Sequence, residues 1–158
     1  MLYLERSWGL SKQAIAMMRY YVRTATAADM AELNRLHTEN MQAYVERVYP
    51  WNATLFKDNF VASEYQIIES NHNILGFFKL VVSQDIYLAE IQIAGSYQNR
   101  GIGSKIIKEL IEKARVSNRR IWLKVVRGNP ALKLYQRLGF VVFETSSTHL
   151  KLELTTNS

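Results

Sequence analysis

The sequence predicts one α/β domain of the mixed α+β kind, a mixed sheet of about seven strands with about four helices. Three observations carry that expectation. Short β-branched runs alternate with stretches of helical period along the chain. One of those helices, directly behind a glycine pair, is apolar on one face and charged on the other. The 158 residues are 48% hydrophobic with no cysteine, so a continuous core held by packing alone must carry the fold.

In order, "YYVRT" (Tyr20 to Thr24) alternates as a short strand. Thr26 and Asp29 stand three apart like a helix N-cap and its reciprocal acid. Met30, Leu33, His37, Met41, Tyr44 and Val48 then follow at helical spacing, as one long helix or two short ones. "YPWN" breaks the pattern, and a brief helical turn is expected around Leu55 to Val61. "YQIIES" (Tyr65 to Ser70), a tight "NHN" turn and "ILGFFKLVVS" (Ile74 to Ser83) read as a hairpin. "IYLAEIQIA" (Ile86 to Ala94) is a third strand, apolar enough to be covered on both faces. Behind the glycines, Ile102, Ile106, Ile107, Leu110, Ile111 and Ala114 form one stripe of a helix. "RIWLKVV" (Arg120 to Val126) is a strand. In "RGNPALKLYQRLGF", Asn129 is placed to cap a helix, Pro130 to take its first position and Gly139 to end it left-handed. "VVFET" and "HLKLEL" close the chain as a hairpin, so the order is β-α-α-β-β-β-α-β-α-β-β.

Several function classes fall away on composition. Without cysteine there is no thiolate chemistry, and three scattered histidines do not make a metal site, so no metal is expected. No apolar run approaches the ~20 residues that span a bilayer, and the N-terminus lacks a secretion pattern, so the chain reads as cytoplasmic with no membrane partner. Residues 1–17 form either an N-terminal extension or the product of an upstream start, ahead of a single domain at 18–158. The net charge of +6 is unevenly spread: residues 100–137 sum to +9 and the rest to −3. A segregated field of this kind suits an anionic ligand at one end.

The glycines say where. In "IQIAGSYQNRGIGSKIIKELI" a strand gives way to Gly101 and Gly103 and then to a helix. A helix N-terminus offers unpaired amides and partial positive charge to phosphate oxygens, and glycine lets them approach the main chain. A dinucleotide fingerprint would need glycine where Ile106 stands and an acid where the chain has Arg119, Arg120 and Lys124. A Walker loop would need a Gly-Lys-Ser/Thr order, whereas Ser104 precedes Lys105. The pattern Q/R-x-x-G-x-G/A is met by Gln98, Asn99, Arg100, Gly101, Ile102 and Gly103. With "NPALKLYQRLGF" downstream and "YLAEIQIAGSYQ" upstream, the chain resembles the GNAT superfamily of N-acetyltransferases from about Tyr20 to about Leu154. "YVERVYPWN" is similar to a less studied branch of it.

The resemblance implies acetyl-CoA as acyl donor and a sheet whose fourth and fifth strands splay to admit the thioester. It also implies main-chain contacts from Ile91 and Ile93 to the pantetheine arm. Amides from Gln98 to Ser104 would hold the pyrophosphate, with Arg100 and Lys105 adding charge and Asn129 and Tyr135 lining the far side. Tyr135 matches the position of the acid that protonates the leaving thiolate. Glu90 is the candidate base, since it and Gln92 are polar on an otherwise apolar strand; a structural ion pair explains it equally well. His37 reads as a hydrogen-bonded core residue, and His149 as one that could reach the cleft.

The acceptor is expected to be a primary amine on a small molecule, peptide or protein, met by Tyr44, Glu46, Tyr49, Trp51 and Asn52. If Glu46 and Glu90 both face the cleft, they would favour a cationic guest. Two rival readings are a non-catalytic acyl-CoA sensor and a basic nucleic-acid binder, and the second leaves the glycines unexplained. A monomer or a homodimer is compatible with this sequence.

Overall fold

In the computed structural model the described residues run from Arg19 to Leu154. Seven strands form one sheet: β1 (Tyr21–Thr24), β2 (Tyr65–Ser70), β3 (Asn73–Val82), β4 (Ile86–Ile93), β5 (Ile121–Val126), β6 (Val141–Thr145) and β7 (His149–Leu154). The helices are α1 (Met30–Val45), α2 (Leu55–Asp58), α3 (Ile102–Val116) and α4 (Ala131–Arg137), so the element order is the expected one. The strands lie as β1-β2-β3-β4-β5-β7-β6. Every neighbouring pair is antiparallel except β4 and β5, the one parallel contact in the sheet.

Alternation of side chains divides the core into two layers. On β2 and β3, Ile67 and Phe77 turn toward α1 and α2, where they meet Leu33, Leu36, Phe56 and Tyr65. Their neighbours Ile68 and Phe78 turn the other way, toward Ile102, Ile106, Ile107, Leu110 and Ala114 of α3. The α3 stripe is therefore as expected. The α1 stripe is not: Leu33, Leu36 and Val45 are its buried residues, and the helix stops before Val48. His37, read from the sequence as a hydrogen-bonded core residue, instead lines a cleft together with Met41 and Tyr44. A helix of mixed polarity presents two plausible faces, and the sheet below decides between them.

Capping follows the sequence closely. The Asp29 carboxylate accepts from the Thr26 amide at 2.8 Å. Asn129 Oδ1 accepts from the Ala131 amide at 2.9 Å, and Gly139 takes φ +99° behind α4. Arg23 on β1 donates to both oxygens of Asp29, at 2.9 and 3.0 Å, and through Nε to Glu69 of β2 at 2.6 Å. That arginine holds the Asp29 carboxyl down at about 2. At the other end of the sheet Arg120 joins Asp85 at 2.9 Å and Glu153 at 2.6 Å. β6, by contrast, is exposed along all five of its residues.

Candidate active site

β4 and β5 pair only from Ile86↔Ile121 to Leu88↔Leu123. Beyond that point they part, and among the described residues β4 has no strand partner on that side from Ala89 onward. The opening continues into a cleft of about 1400 Å³ that crosses the sheet between α1, β4, α3, β5 and α4. A strand edge inside a protein leaves N–H and C=O groups in want of a partner, so the gap is suited to an extended, amide-bearing guest.

One end of the cleft is built from backbone. Asn99 and Gly101 adopt left-handed conformations, at φ +57° and +87°. Gly101 is the N-cap of α3 and no side chain caps that helix, so the first-turn amides are left for a ligand. Gln98, Asn99 and the run Gly101 to Ser104 all line the cleft, as do Ile91, Ile93, Asn129 and Tyr135. The turn is tied to β4 through Ile93, whose carbonyl accepts from Gln98 Nε2 and from Asn40 Nδ2, each at 2.9 Å. Two of the expected phosphate ligands point elsewhere: Lys105 Nζ lies 5.1 Å from the Tyr20 ring centroid, and neither it nor Arg100 lines the cleft. On a helix, residue 105 lies one turn beyond the mouth and follows the flank rather than the opening.

The other end is built from side chains brought together over long sequence distances. A bulge leaves Ala89 unpaired, because Lys79 faces Glu90 while Leu80 faces Leu88. The bulge puts Tyr87 and Glu90 on the same face although they are three apart, and the Glu90 charge, after burial, helps to raise the Tyr87 phenol. Glu90 Oε2 is bound by His37 Nδ1 and accepts from Gln92 Nε2 at 3.0 Å. The His37 ring is itself held between Trp51 and Phe56, with centroids 5.5 and 4.9 Å away. The carboxylate is thus the inner member of a His–Glu pair, a partnership 53 residues apart that local pattern reading of His37 as core does not detect.

Tyr135 lines the cleft, 8% exposed, with its ring edge-on to Phe140 at 6.1 Å. Burial pushes its phenol up to about 12, so the hydroxyl stays protonated and able to donate. His149 also lines the cleft, stacked on Tyr49 at 6.2 Å. Burial, then the Lys124 charge, lowers its imidazole. Of the expected acceptor contacts, Tyr44 and Tyr49 line the cleft, whereas Glu46, Trp51 and Asn52 do not. Glu46 accepts from Gln42 at 2.8 Å, Trp51 backs His37, and Asn52 accepts from the Thr54 amide at 3.1 Å. Among the described residues no three metal-binding side chains converge, and no helix is long and apolar enough to cross a membrane.

A family model described as the acetyltransferase (GNAT) family matches residues 30–140. The chain belongs to the GNAT family. This acetyltransferase is 29% identical over 117 residues to the [ribosomal protein bS18]-alanine N-acetyltransferase of Haemophilus influenzae, across 71% of this chain and 77% of that one. Its fold is similar to that of PaiA N-acetyltransferase from Thermoplasma acidophilum in complex with coenzyme A, at a TM-score of 0.72 and 15% identity over 87% of this chain and 99% of that one. It is also similar to Arabidopsis thaliana Naa50 in complex with the bisubstrate analogue CoA-Ac-MVNAL, at a TM-score of 0.66 and 16% identity over 86% and 98%. The chain is an acyl-CoA-dependent N-acetyltransferase with acetyl-CoA as donor. The uncapped turn at Gly101 and the open edge of β4 fit that donor's diphosphate and its amide-bearing arm.

Proposed function

We propose that this acetyltransferase acylates a primary amine presented as the amino terminus of a peptide or protein. The observation that carries the reading is the gap between β4 and β5, with the His37–Glu90 pair toward one face of the sheet and the buried Tyr135 toward the other. The Haemophilus relative, named for an alanine acceptor on a ribosomal protein, and the structure bound to a peptide-bearing bisubstrate analogue support a peptide guest.

Acetyl-CoA supplies an activated acyl group. Glu90 takes the proton of the incoming ammonium, directly or through a water, while His37 and Gln92 fix its carboxylate. The neutral nitrogen bonds to the acyl carbon and releases its second proton to solvent, the C–S electron pair leaves with sulfur, and Tyr135 protonates that sulfur. Solvent returns the Glu90 proton to the tyrosine. A β4 amide near Ile93 would receive the negative oxygen. Ile91, Ile93, Asn129 and the Gln98–Ser104 turn hold the donor, and Tyr44 and Tyr49 flank the acceptor.

The test is release of free thiol from acetyl-CoA across a panel of peptides and small amines. Wild type should turn over at least the peptides, and Tyr135→Phe and Glu90→Gln should each lower kcat by ~10²-fold or more. Absence of thiol release with every amine would end this reading.

A further inference from the structure

The acceptor end of the cleft carries charge of the sign opposite to that expected for a cationic guest. Its two carboxylates are already matched: Glu39 accepts from Arg35 at 2.5 Å, and Glu90 is bound by His37. Its cations are not. Arg47, the neighbour of the outward-turned Glu46, lines the cleft with its guanidinium 5.3 Å from the Tyr44 ring centroid and forms no ion pair with a described residue. Lys124 on β5 lines it as well, 5.9 Å from the Tyr87 and Trp122 ring centroids, again without a carboxylate partner among the described residues.

Both cations lie along the β5 side of the cleft. Arg47 Nη1 would lie 3.8 Å from a Cβ at Gly128, just past the end of β5. His149 pairs with Val126 across β5 and β7, stacks on Tyr49 two residues after Arg47, and feels the Lys124 charge. A second cavity of about 160 Å³ adjoins at Lys124 and His149, lined also by Glu144, Ser146 and Lys151. Lys151 there is bound to Glu144, so it adds little free charge. Beneath Lys124, Tyr87 and Trp122 stack at 4.0 Å and form a flat floor.

We infer that Arg47 and Lys124 form an anion-recognition site for the acceptor, which carries a carboxylate close behind its reacting amine. The inference rests on the peptide-amine reading above and names the class of peptide: one with an acidic residue directly after the amino-terminal one. Arg47 meets the carboxylate with its planar fork and Lys124 as a point charge. Glu90 on β4 and Lys124 on β5 lie on neighbouring, diverging strands, with Arg47 in the turn behind α1, so amine and carboxylate are separated by more than one strand spacing of ~4.8 Å.

The experiment measures binding and turnover separately. Fluorescence anisotropy of labelled peptides, in the presence of coenzyme A, compares Ala-Glu-, Ala-Gln- and Ala-Lys-leading sequences that are otherwise the same. Wild type should bind the Glu peptide about tenfold more tightly than the Lys peptide, with the ratio shrinking as salt rises. Lys124→Glu should invert that ratio and Arg47→Ala should reduce it severalfold, each judged within its own variant so that any general loss cancels. An unlabelled Ala-Gln dipeptide acid, used as a competitor against its amide, distinguishes a terminal carboxylate from a side-chain one as the source of the charge. Equal affinity for the Glu and Lys peptides, no binding of either, or an unchanged ratio in Lys124→Glu would overturn the inference. Thiol release with the same peptides reports on the amine chemistry independently.

Discussion

The two ends of the cleft are built by different means. At the end proposed for the coenzyme, one contiguous stretch from Ile91 to Ser104 supplies strand edge, turn and helix mouth, and recognition would be by backbone. At the other end, proposed for the acceptor, the side chains come from α1, the segment behind it, β4, β5 and β7, and recognition would be by charge and rings. A backbone site is fixed by local dihedrals, so its chemistry follows the glycine at φ +87°. A side-chain site depends on register, and one bulge at Ala89 is enough to reset it.

That contrast predicts a clean kinetic division, which supplies the largest effect. Glu90→Gln should lower kcat by ~10²-fold to 10³-fold with little change in KM for acetyl-CoA. A comparable rise in the acetyl-CoA KM would blur the two ends into one. Next comes the frame they share. A Cβ at Gly76 of β3 would meet the Gln92 carbonyl oxygen at 2.3 Å, so Gly76→Ala should cost ~2 kcal/mol or more and disturb both KM values. Urea unfolding with unchanged midpoint would show that β3 and β4 yield more easily than their packing implies.

His37→Gln is the subtler probe of the acceptor end. Glutamine can still donate to Glu90 but lacks the ring that packs on Trp51 and Phe56, so kcat should fall ~10-fold with both KM values kept. Steady-state kinetics with kcat unchanged in this variant would show that His37 does not position Glu90. The smallest effect lies far from the cleft. Asp29, at about 2 beside Arg23, is depressed in the folded chain relative to an ordinary carboxyl near ~3.9. Its contribution is therefore present above about pH 4 and lost as pH falls toward 2. Asp29→Asn should flatten that part of the stability profile, read as thermal midpoint against pH.

Much of the fold was legible because its signals are local: the α3 stripe, the Asn129 and Gly139 ends of α4, and the "NHN" hairpin all depend on residues within a turn of one another. The left-handed turn at Gly101 was legible for the same reason. The side to which α1 turns was not, since Leu36 and His37 are adjacent and only the strands beneath choose between them. Nor could spacing show that Lys105 follows the flank toward Tyr20, or that Glu46 turns out while Arg47 turns in. A polar pair 53 residues apart leaves no periodic trace, yet Glu90 together with the lone His37 on a mixed face was a hint of it.

The central claim is that main-chain amides at the mouth of α3 grip a diphosphate and so aim a thioester into the opening between β4 and β5. Titration calorimetry of coenzyme A against pantetheine, which lacks the diphosphate, on wild type and Gly101→Val, tests it most directly. Wild type should favour coenzyme A by ~100-fold or more, and the variant should lose most of this margin. Equal affinity for the two ligands in wild type, or an undiminished margin in Gly101→Val, would contradict it.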